Sequence, residues 1–205
     1  MDHPIVAHRV TLLRDEQTEP SAFRQLLGEV AALVAFEALA DLPTETRTVR
    51  TPVTTAPDCP VVTASVLLVP ILRAGLGMVP AIQALLPVSE VAHVGLRRDE
   101  TTLRSTVYLD RLPQDLSGRR VVICDPMLAT GGSLSQVCTM VKFRGASDVV
   151  ALCVLAARPG LERVLREHPD VTVACAAIDE ELDARGFITP GLGDAGDRLF
   201  GPPPT

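Results

Sequence analysis

The stretch Asp125-Pro126-Met127-Leu128-Ala129-Thr130-Gly131-Gly132-Ser133 follows an apolar run and leads into a helical pattern. Its glycines let the backbone turn N–H groups inward, and the incoming helix adds its positive end. Thr130 and Ser133 add hydroxyl donors, so the segment reads as a phosphate cradle. It is not a Walker A loop, because no Gly-Lys-Ser/Thr follows a glycine five residues earlier. Asp125 is the odd member, since a carboxylate repels phosphate. Pro126 biases it towards an extended conformation at the strand's end, where it can accept hydrogen bonds from two neighbouring hydroxyls. A ribose diol on Asp125 and a phosphate on the glycine turn together describe a sugar phosphate.

Two further stretches carry chemistry. In Val69-Pro70-Ile71-Leu72-Arg73-Ala74-Gly75-Leu76-Gly77-Met78, the glycines lack the third member of a dinucleotide fingerprint, and the Rossmann reading is rejected. What is left is an arginine in a tight loop directly after an apolar run, able to fork onto a phosphate or pyrophosphate or to form a structural salt bridge. In Ile188-Thr189-Pro190-Gly191-Leu192-Gly193-Asp194-Ala195-Gly196-Asp197, closely spaced glycines expose the main chain. Its N–H and C=O groups can then meet a flat ligand, or the loop can be without function.

The elements that must position these loops follow from the apolar pattern. Phe23, Leu26, Leu27, Val30, Leu33 and Val34 recur at three- and four-residue steps, predicting a helix with a start near Thr18 and Pro20 and a stop at Pro43. Residues 44–62 read as short strands or a surface excursion. Apolar runs then recur at Val66–Val69, Val91–Leu96, Val121–Cys124, Val149–Leu155 and Val171–Ile178. Helical stretches lie between several of them: one up to Leu86, one near 133–143 and one near 160–167. Strands without polar alternation are buried on both faces, and their exchange with helices predicts a parallel sheet covered on both sides. Ligands in such folds collect at the carboxyl ends of the strands, where Arg73 and Asp125 stand. The polar stretch between Leu96 and Ser117 reads as a lid or hairpin over a site, or as a plain solvated loop. The segment Asp179–Thr205, rich in glycine and proline, is expected to be an ordered loop or a tail without regular structure.

Composition narrows the function. At 205 residues, 47% hydrophobic and 21% charged, with a mean hydropathy of +0.27, the chain is expected to form one domain with its own core. No apolar run approaches the roughly 18 residues needed to span a bilayer, and the first residues lack a secretory signal, so a cytoplasmic protein is expected. The net charge of −6 gives no general attraction to nucleic acid. Eighteen of the 19 cationic residues are arginines, Lys142 being the exception, so an arginine alone carries little weight. Aromatics at 3% leave no stacking platform for bases. The five cysteines are scattered without C-x-x-C spacing and the histidines do not cluster beside them, which speaks against zinc or a disulfide framework. Cys124, Cys153 and Cys175 read as buried thiols.

Taken together, Val69–Met78, Asp125–Ser133 and Ile188–Asp197 closely resemble, in order and spacing, the uracil phosphoribosyltransferases. The similarity runs from the amino-terminal helix to Gly201. The resemblance implies the type I phosphoribosyltransferase fold: an α/β arrangement with a parallel core sheet flanked by helices and a small hood. The chain 1–205 would then be a single domain, with a core of about 61–178 and a hood from 179–201 plus the amino-terminal segment. The implied reaction is transfer of the 5-phosphoribosyl group from 5-phosphoribosyl 1-pyrophosphate (PRPP) to uracil, giving uridine monophosphate and pyrophosphate. Carried over residue by residue, Arg73 and Arg98 match pyrophosphate-contacting arginines, and Asp125 to Ser133 match the loop for the ribose 5-phosphate. Ile188, Gly193, Asp194 and Ala195 match the uracil site, and Asp194 is also placed near the donor. Mg²⁺ is implied as a passenger on the donor's phosphates, without protein metal ligands. A homodimer or higher homo-oligomer and a GTP effector are implied as well, with neither nucleic acid nor membrane as partner. The chain departs from the family's usual aromatic at Arg97 and its tyrosine at Phe187. Two rivals stay open: a pyrimidine-sensing RNA regulator on the same fold, disfavoured by the acidic charge and by Asp125-Pro126 in place of paired acids, and a binding-only homologue.

Overall fold

The computed structural model describes residues 1–98 and 105–202, apart from the side chains of Arg98 and Ser105. Two helices open the chain, α1 (Pro4–Arg14) and α2 (Pro20–Ala38). The sequence reading missed α1. Its start is written in His3-Pro4: the Ile5 N–H donates to His3 Nδ1 at 3.2 Å, and Pro4 occupies a first-turn position that needs no N–H partner. Helix α2 begins at Pro20 as expected and buries Phe23, Leu26, Leu27, Val30, Ala31, Val34 and Ala35. Residues 44–62 form an antiparallel hairpin of β1 (Thr44–Arg50) and β2 (Thr55–Val62), whose β1 residues are all exposed.

The remaining chain exchanges strands and helices. In order come β3 (Val66–Leu72), a 3₁₀ turn (Ala74–Gly77), α3 (Val79–Leu85), β4 (Glu90–Val91), β5 (Val94–Arg98), β6 (Ser105–Asp110) and β7 (Arg120–Cys124). They are followed by β8 (Met127–Leu128), α4 (Gly132–Phe143), β9 (Asp148–Ala157), α5 (Arg158–Glu167) and β10 (Thr172–Asp179). The central sheet runs β10-β9-β7-β3-β5-β6. Its pairs are parallel except at the edge, where β5 and β6 are antiparallel. The excursion after Leu96 is thus in part a hairpin; its residues 99–104 lie outside the described ones.

Both faces of the sheet are buried, and alternate residues sort to opposite sides. Val66, Leu68, Val122, Leu152 and Val154 pack with α1, α2 and α3, whereas Leu67, Val69, Val121, Ile123, Ala151 and Cys153 pack with α4 and α5. That period of two within continuous apolar runs is what a doubly covered sheet requires. Cys124 and Cys153 are buried as expected, but Cys175 on the edge strand β10 is half-buried, and the additional buried thiol is Cys138 of α4.

The last segment is ordered, as its apolar Phe187, Ile188, Leu192, Leu199 and Phe200 favour, but the expected lack of regular structure is overturned. Residues after Asp179 do form regular structure: β11 (Glu181–Leu182) pairs antiparallel with β12 (Ile188–Thr189), and α6 (Ala195–Phe200) follows. Their stability comes from tertiary contacts rather than local pattern. Arg14 grips Asp179 through two bonds of 2.7 and 2.6 Å and donates to the Gly191 carbonyl at 2.8 Å. The Gly191 N–H also donates to Asp179. From α6, Arg198 donates to the carbonyls of Leu192 at 2.9 Å and Asp15 at 2.6 Å, with its guanidinium 4.2 Å from the Phe23 ring centroid. The amino-terminal helices therefore hold the carboxyl-terminal loop against the sheet.

Candidate active site

Strand order reverses at β3, which has β7 on one side and β5 on the other; a crevice outside the carboxyl ends of β3 and β7 follows from that topology. Gly75 closes it. A Cβ there would stand 2.2 Å from the Cys124 carbonyl oxygen, so only glycine lets the turn after β3 lie against the end of β7. This approach brings Arg73 and Asp125 to one place.

Beyond β7 the chain is clipped to β9. The Asp125 N–H donates to the Leu152 carbonyl at 3.1 Å, and the N–H groups of Val154 and Leu155 both donate to the Pro126 carbonyl. Strand β8 then pairs with β9, and the loop turns at Gly131 into α4. Gly160 of α5 supports that turn from behind, since its Cβ would lie 2.0 Å from the Ala129 carbonyl oxygen. The phosphate-cradle segment is therefore wedged between a strand and a helix rather than hanging free.

A cavity of about 250 Å³ opens at this point. Arg73, Asp125, Met127 to Ser133 and Asp194 line it, together with Ile71, Leu72, Ala74 and Gly196 from the same stretches and with Leu96 and Leu134, to which the sequence reading gave no role at the site. Three segments expected to share one ligand thus share one space. Pro126, Ile188, Gly193 and Ala195 are not on that lining. Pro126 is buried beneath the loop, and Ile188 is buried where β12 meets β11. Gly193 and Ala195 flank Asp194 in the chain. Arg98 ends β5, and its side chain lies outside the described residues.

Electrostatics give the lining residues different characters. Burial pushes the Asp125 carboxyl up to about 7, with the Met127 backbone N–H pulling weakly the other way. Arg73 is exposed and donates to Asp197 at 2.6 Å and to the Gly201 carbonyl at 3.3 Å. Asp194 caps α6, accepting from the Asp197 N–H at 2.9 Å. The signal for Asp197 was its spacing three residues after Asp194, a helix-start pattern; its pairing with Arg73 has no sequence signature. Among the described residues, no group of three or more His, Cys, Asp or Glu side chains is placed to hold a metal ion, and no helix is long and apolar enough to cross a membrane.

Comparison with known proteins points the same way. The sequence profile of a family described as "Uracil phosphoribosyltransferase" matches residues 1–202. A uracil phosphoribosyltransferase of Kineococcus radiotolerans is 52% identical over 204 residues, covering 98% of this chain and 97% of the relative. Another, from Oceanobacillus iheyensis, is 50% identical and covers 98% and 96%. Among solved structures, the AQ2163 protein from Aquifex aeolicus superposes with a TM-score of 0.93 at 36% identity, covering 98% of this chain and 96% of that one. A hypoxanthine phosphoribosyltransferase of Trypanosoma cruzi, at 14% identity and a TM-score of 0.52, shares the fold alone. The parallel sheet is thus that of the type I phosphoribosyltransferases, and the chain is an enzyme of the uracil phosphoribosyltransferase family.

Proposed function

We propose that the cavity at the ends of β3 and β7 binds PRPP, that uracil docks beside it against the main chain around Asp194, and that the base replaces the donor's pyrophosphate, giving uridine monophosphate. The observation that carries this reading is that Arg73, Asp125 and the whole 127–133 loop line a single cavity. A molecule phosphorylated at both ends of a pentose needs that set: backbone donors for one phosphate, a cation for the other, and a hydroxyl acceptor between them.

Each residue's role follows from what it can do there. The 127–133 loop grips the 5-phosphate, remote from the reacting carbon, so its contribution is orientation. Asp125 accepts from the ribose hydroxyls. Arg73 meets the pyrophosphate, on which charge accumulates as its bond to the anomeric carbon breaks; a preorganised donor at such a position is worth ~3–4 kcal/mol. Arg98 serves as the second cation by family resemblance. The lining suits a Mg²⁺ carried in on substrate phosphates rather than a protein cage, with Asp125 and Asp194 as the carboxylates of the same cavity. Bound there, the ion would neutralise charge on the leaving group.

Asp194 is already committed as a helix cap, which supports a positioning role over proton abstraction. Uracil is read by main-chain groups near Ile188 and Gly193 to Ala195. An N–H aimed at the uracil O4 has no acceptor in cytosine, and an unsatisfied buried donor costs ~1–3 kcal/mol. Exposed apolar residues on the amino-terminal half, among them Phe36, Leu76 and Leu85, favour self-association into a homodimer or larger assembly. GTP is the effector to test against it, on resemblance alone.

Purified protein supplied with PRPP, Mg²⁺ and each nucleobase in turn should release pyrophosphate with uracil alone. Equal turnover of cytosine would refute the main-chain reading of the base, and no turnover with any base would favour the binding-only homologue.

A further inference from the structure

The described lining of the cavity is short of positive charge for the ligand assigned to it. Arg73 is its one cation among the described residues, and it faces two carboxylates, Asp125 and Asp194, with its guanidinium also paired to Asp197. The 5-phosphate end, around Thr130 to Ser133, has backbone and hydroxyl donors but, among the described residues, no cation on the lining. There a dianionic phosphate meets backbone and hydroxyl donors and the positive end of α4, and a cation close by adds charge-assisted stabilisation to these.

A cation stands immediately behind that end. Arg163 of α5 places a terminal guanidinium nitrogen 3.4 Å from where a Cβ on Gly132 would be. It is held there by a chain of polar contacts. Its Nε donates to Glu167 at 2.9 Å, and the other Glu167 oxygen accepts from the Ser135 hydroxyl. Ser135 lies at 2.9 Å from His168 Nε2, and Lys142 lies at 3.2 Å from His168 Nδ1. One donor direction satisfies the chain: Lys142 to Nδ1, Nε2–H to Ser135, and Ser135 to Glu167. Ser135 sits in the first turn of α4, one turn below the glycine pair, so the helix that forms the cradle also anchors the Glu167 that aims Arg163. The Ser135 hydroxyl first, and then Arg163, hold the Glu167 carboxyl below its ordinary range, keeping the anchor ionised.

We propose that Arg163 is a specificity-determining residue for the phosphorylated end of the donor, adding through the Gly132 turn a positive charge to an end of the cavity whose described lining has none, and that Glu167 is the positioning residue that aims it. This rests on the reading of the 127–133 loop as the 5-phosphate site. A glutamine at 163 keeps length and hydrogen bonding but removes charge, whereas lysine keeps charge but not the fork.

The test is calorimetric titration of the full chain with ribose 5-phosphate and, separately, with pyrophosphate, alongside steady-state kinetics. Arg163→Gln should weaken ribose 5-phosphate binding about three- to fivefold, the scale of a half-exposed charge acting through the turn rather than of a direct contact. It should raise KM for PRPP while leaving pyrophosphate binding and kcat within about twofold, and Arg163→Lys should restore part of the loss. Glu167→Gln should show a smaller shift in the same direction, and it serves as the second variant should Arg163→Gln fold poorly. Unchanged ribose 5-phosphate affinity in Arg163→Gln, or equal losses for both ligands, would overturn the proposal. Failure of the wild-type chain to convert uracil would instead remove the proposed reaction and leave the ribose 5-phosphate comparison to judge Arg163 separately.

Discussion

Arg73 and Asp197 form an ion pair at 2.6 Å that ties the turn after β3 to helix α6, across 124 positions of sequence. Both side chains are about two-fifths exposed, so the pair adds little to stability. Its consequence is functional. The guanidinium proposed to meet pyrophosphate is held in advance by a carboxylate that must be displaced or shared when an anion arrives. The same helix begins at Asp194, beside the main chain proposed to read uracil. Donor binding and the base site therefore pull on one short element.

Replacing the competing carboxylate tests this coupling. Asp197→Asn should tighten pyrophosphate binding by about two- to fivefold, the scale of a half-exposed ion pair. It should also raise KM for uracil, because α6 loses its tether to the β3 turn. Titration calorimetry and initial rates measure the two effects. Weaker pyrophosphate binding would show instead that Asp197 holds Arg73 in its working position.

Asp125 gives the site a pH dependence with a definite sign. Burial raises its carboxyl from 3.8 to about 7, so between those values the folded chain holds a proton that the unfolded chain has released. Folding stability contributed by this group is therefore fully present at low pH and falls as pH climbs towards 7. Donor binding runs the other way, since only the ionised carboxylate accepts from two hydroxyls. In the ligand-free protein the melting temperature should decline through this window while kcat/KM for PRPP rises and levels above about pH 7. Asp125→Asn should flatten the melting profile and remove that limb of the kinetic one. An unchanged kinetic limb would assign it to the substrate's own phosphate ionisation, near pH 6.

The carboxyl ends of β3 and β7 were legible because each functional residue directly follows a continuous apolar run, and a strand buried on both faces announces itself in such runs. Arg73 and Asp125 could be found without long-range information. Contacts that cross the chain could not. Nothing beside Gly160 indicates that it must accommodate the Ala129 carbonyl, and nothing near Arg73 names Asp197. Helix α1 was overlooked although it was legible: its buried Val6, Val10 and Leu13 recur at the same four- and three-residue steps as the buried residues of α2. Helix α6 was missed because glycines at 191, 193, 196 and 201 outweigh six helical residues whose order depends on Arg198 reaching Leu13 and Asp15. Local propensity loses to tertiary contact in such short elements.

Close approach at Gly160 separates loop geometry from global stability. Gly160→Ala places a methyl against the Ala129 carbonyl oxygen, and the backbone of the cradle must shift. A loss of about 1–3 kcal/mol is expected from such overpacking, together with a rise in KM for PRPP and little change in KM for uracil. Gly118→Ala is the matched control: its φ is +72° but a Cβ would meet nothing within 4 Å. Strain there should cost about 1–2 kcal/mol without moving either KM. Thermal melts and initial rates of the two variants decide it, and a Gly160→Ala enzyme with the wild-type donor KM would mean that the cradle does not depend on α5.

The Arg14–Asp179 pair tests whether the amino-terminal helix holds the base loop. Burial works against ionisation of Asp179, but the Arg14 guanidinium and the Gly191 N–H outweigh it and hold the carboxyl below its ordinary value. A depressed folded-state value means the stabilisation is present above about pH 4 and is lost as pH falls through the folded-state value. Asp179→Ala leaves the Arg14 guanidinium with only the Gly191 carbonyl and the Gly191 N–H without its acceptor. The cost should be about 2–3 kcal/mol, below that of a fully buried pair because Arg14 retains 26% exposure. In a chain this size that lowers the melting temperature by about 4–12 °C. Because Gly191 precedes Gly193 to Ala195, KM for uracil should rise more than KM for PRPP, and the acid limb of the stability profile should shrink. A variant that melts lower yet keeps its uracil KM would confine the pair to stability, with the base loop held by Arg198 and the other contacts to α6.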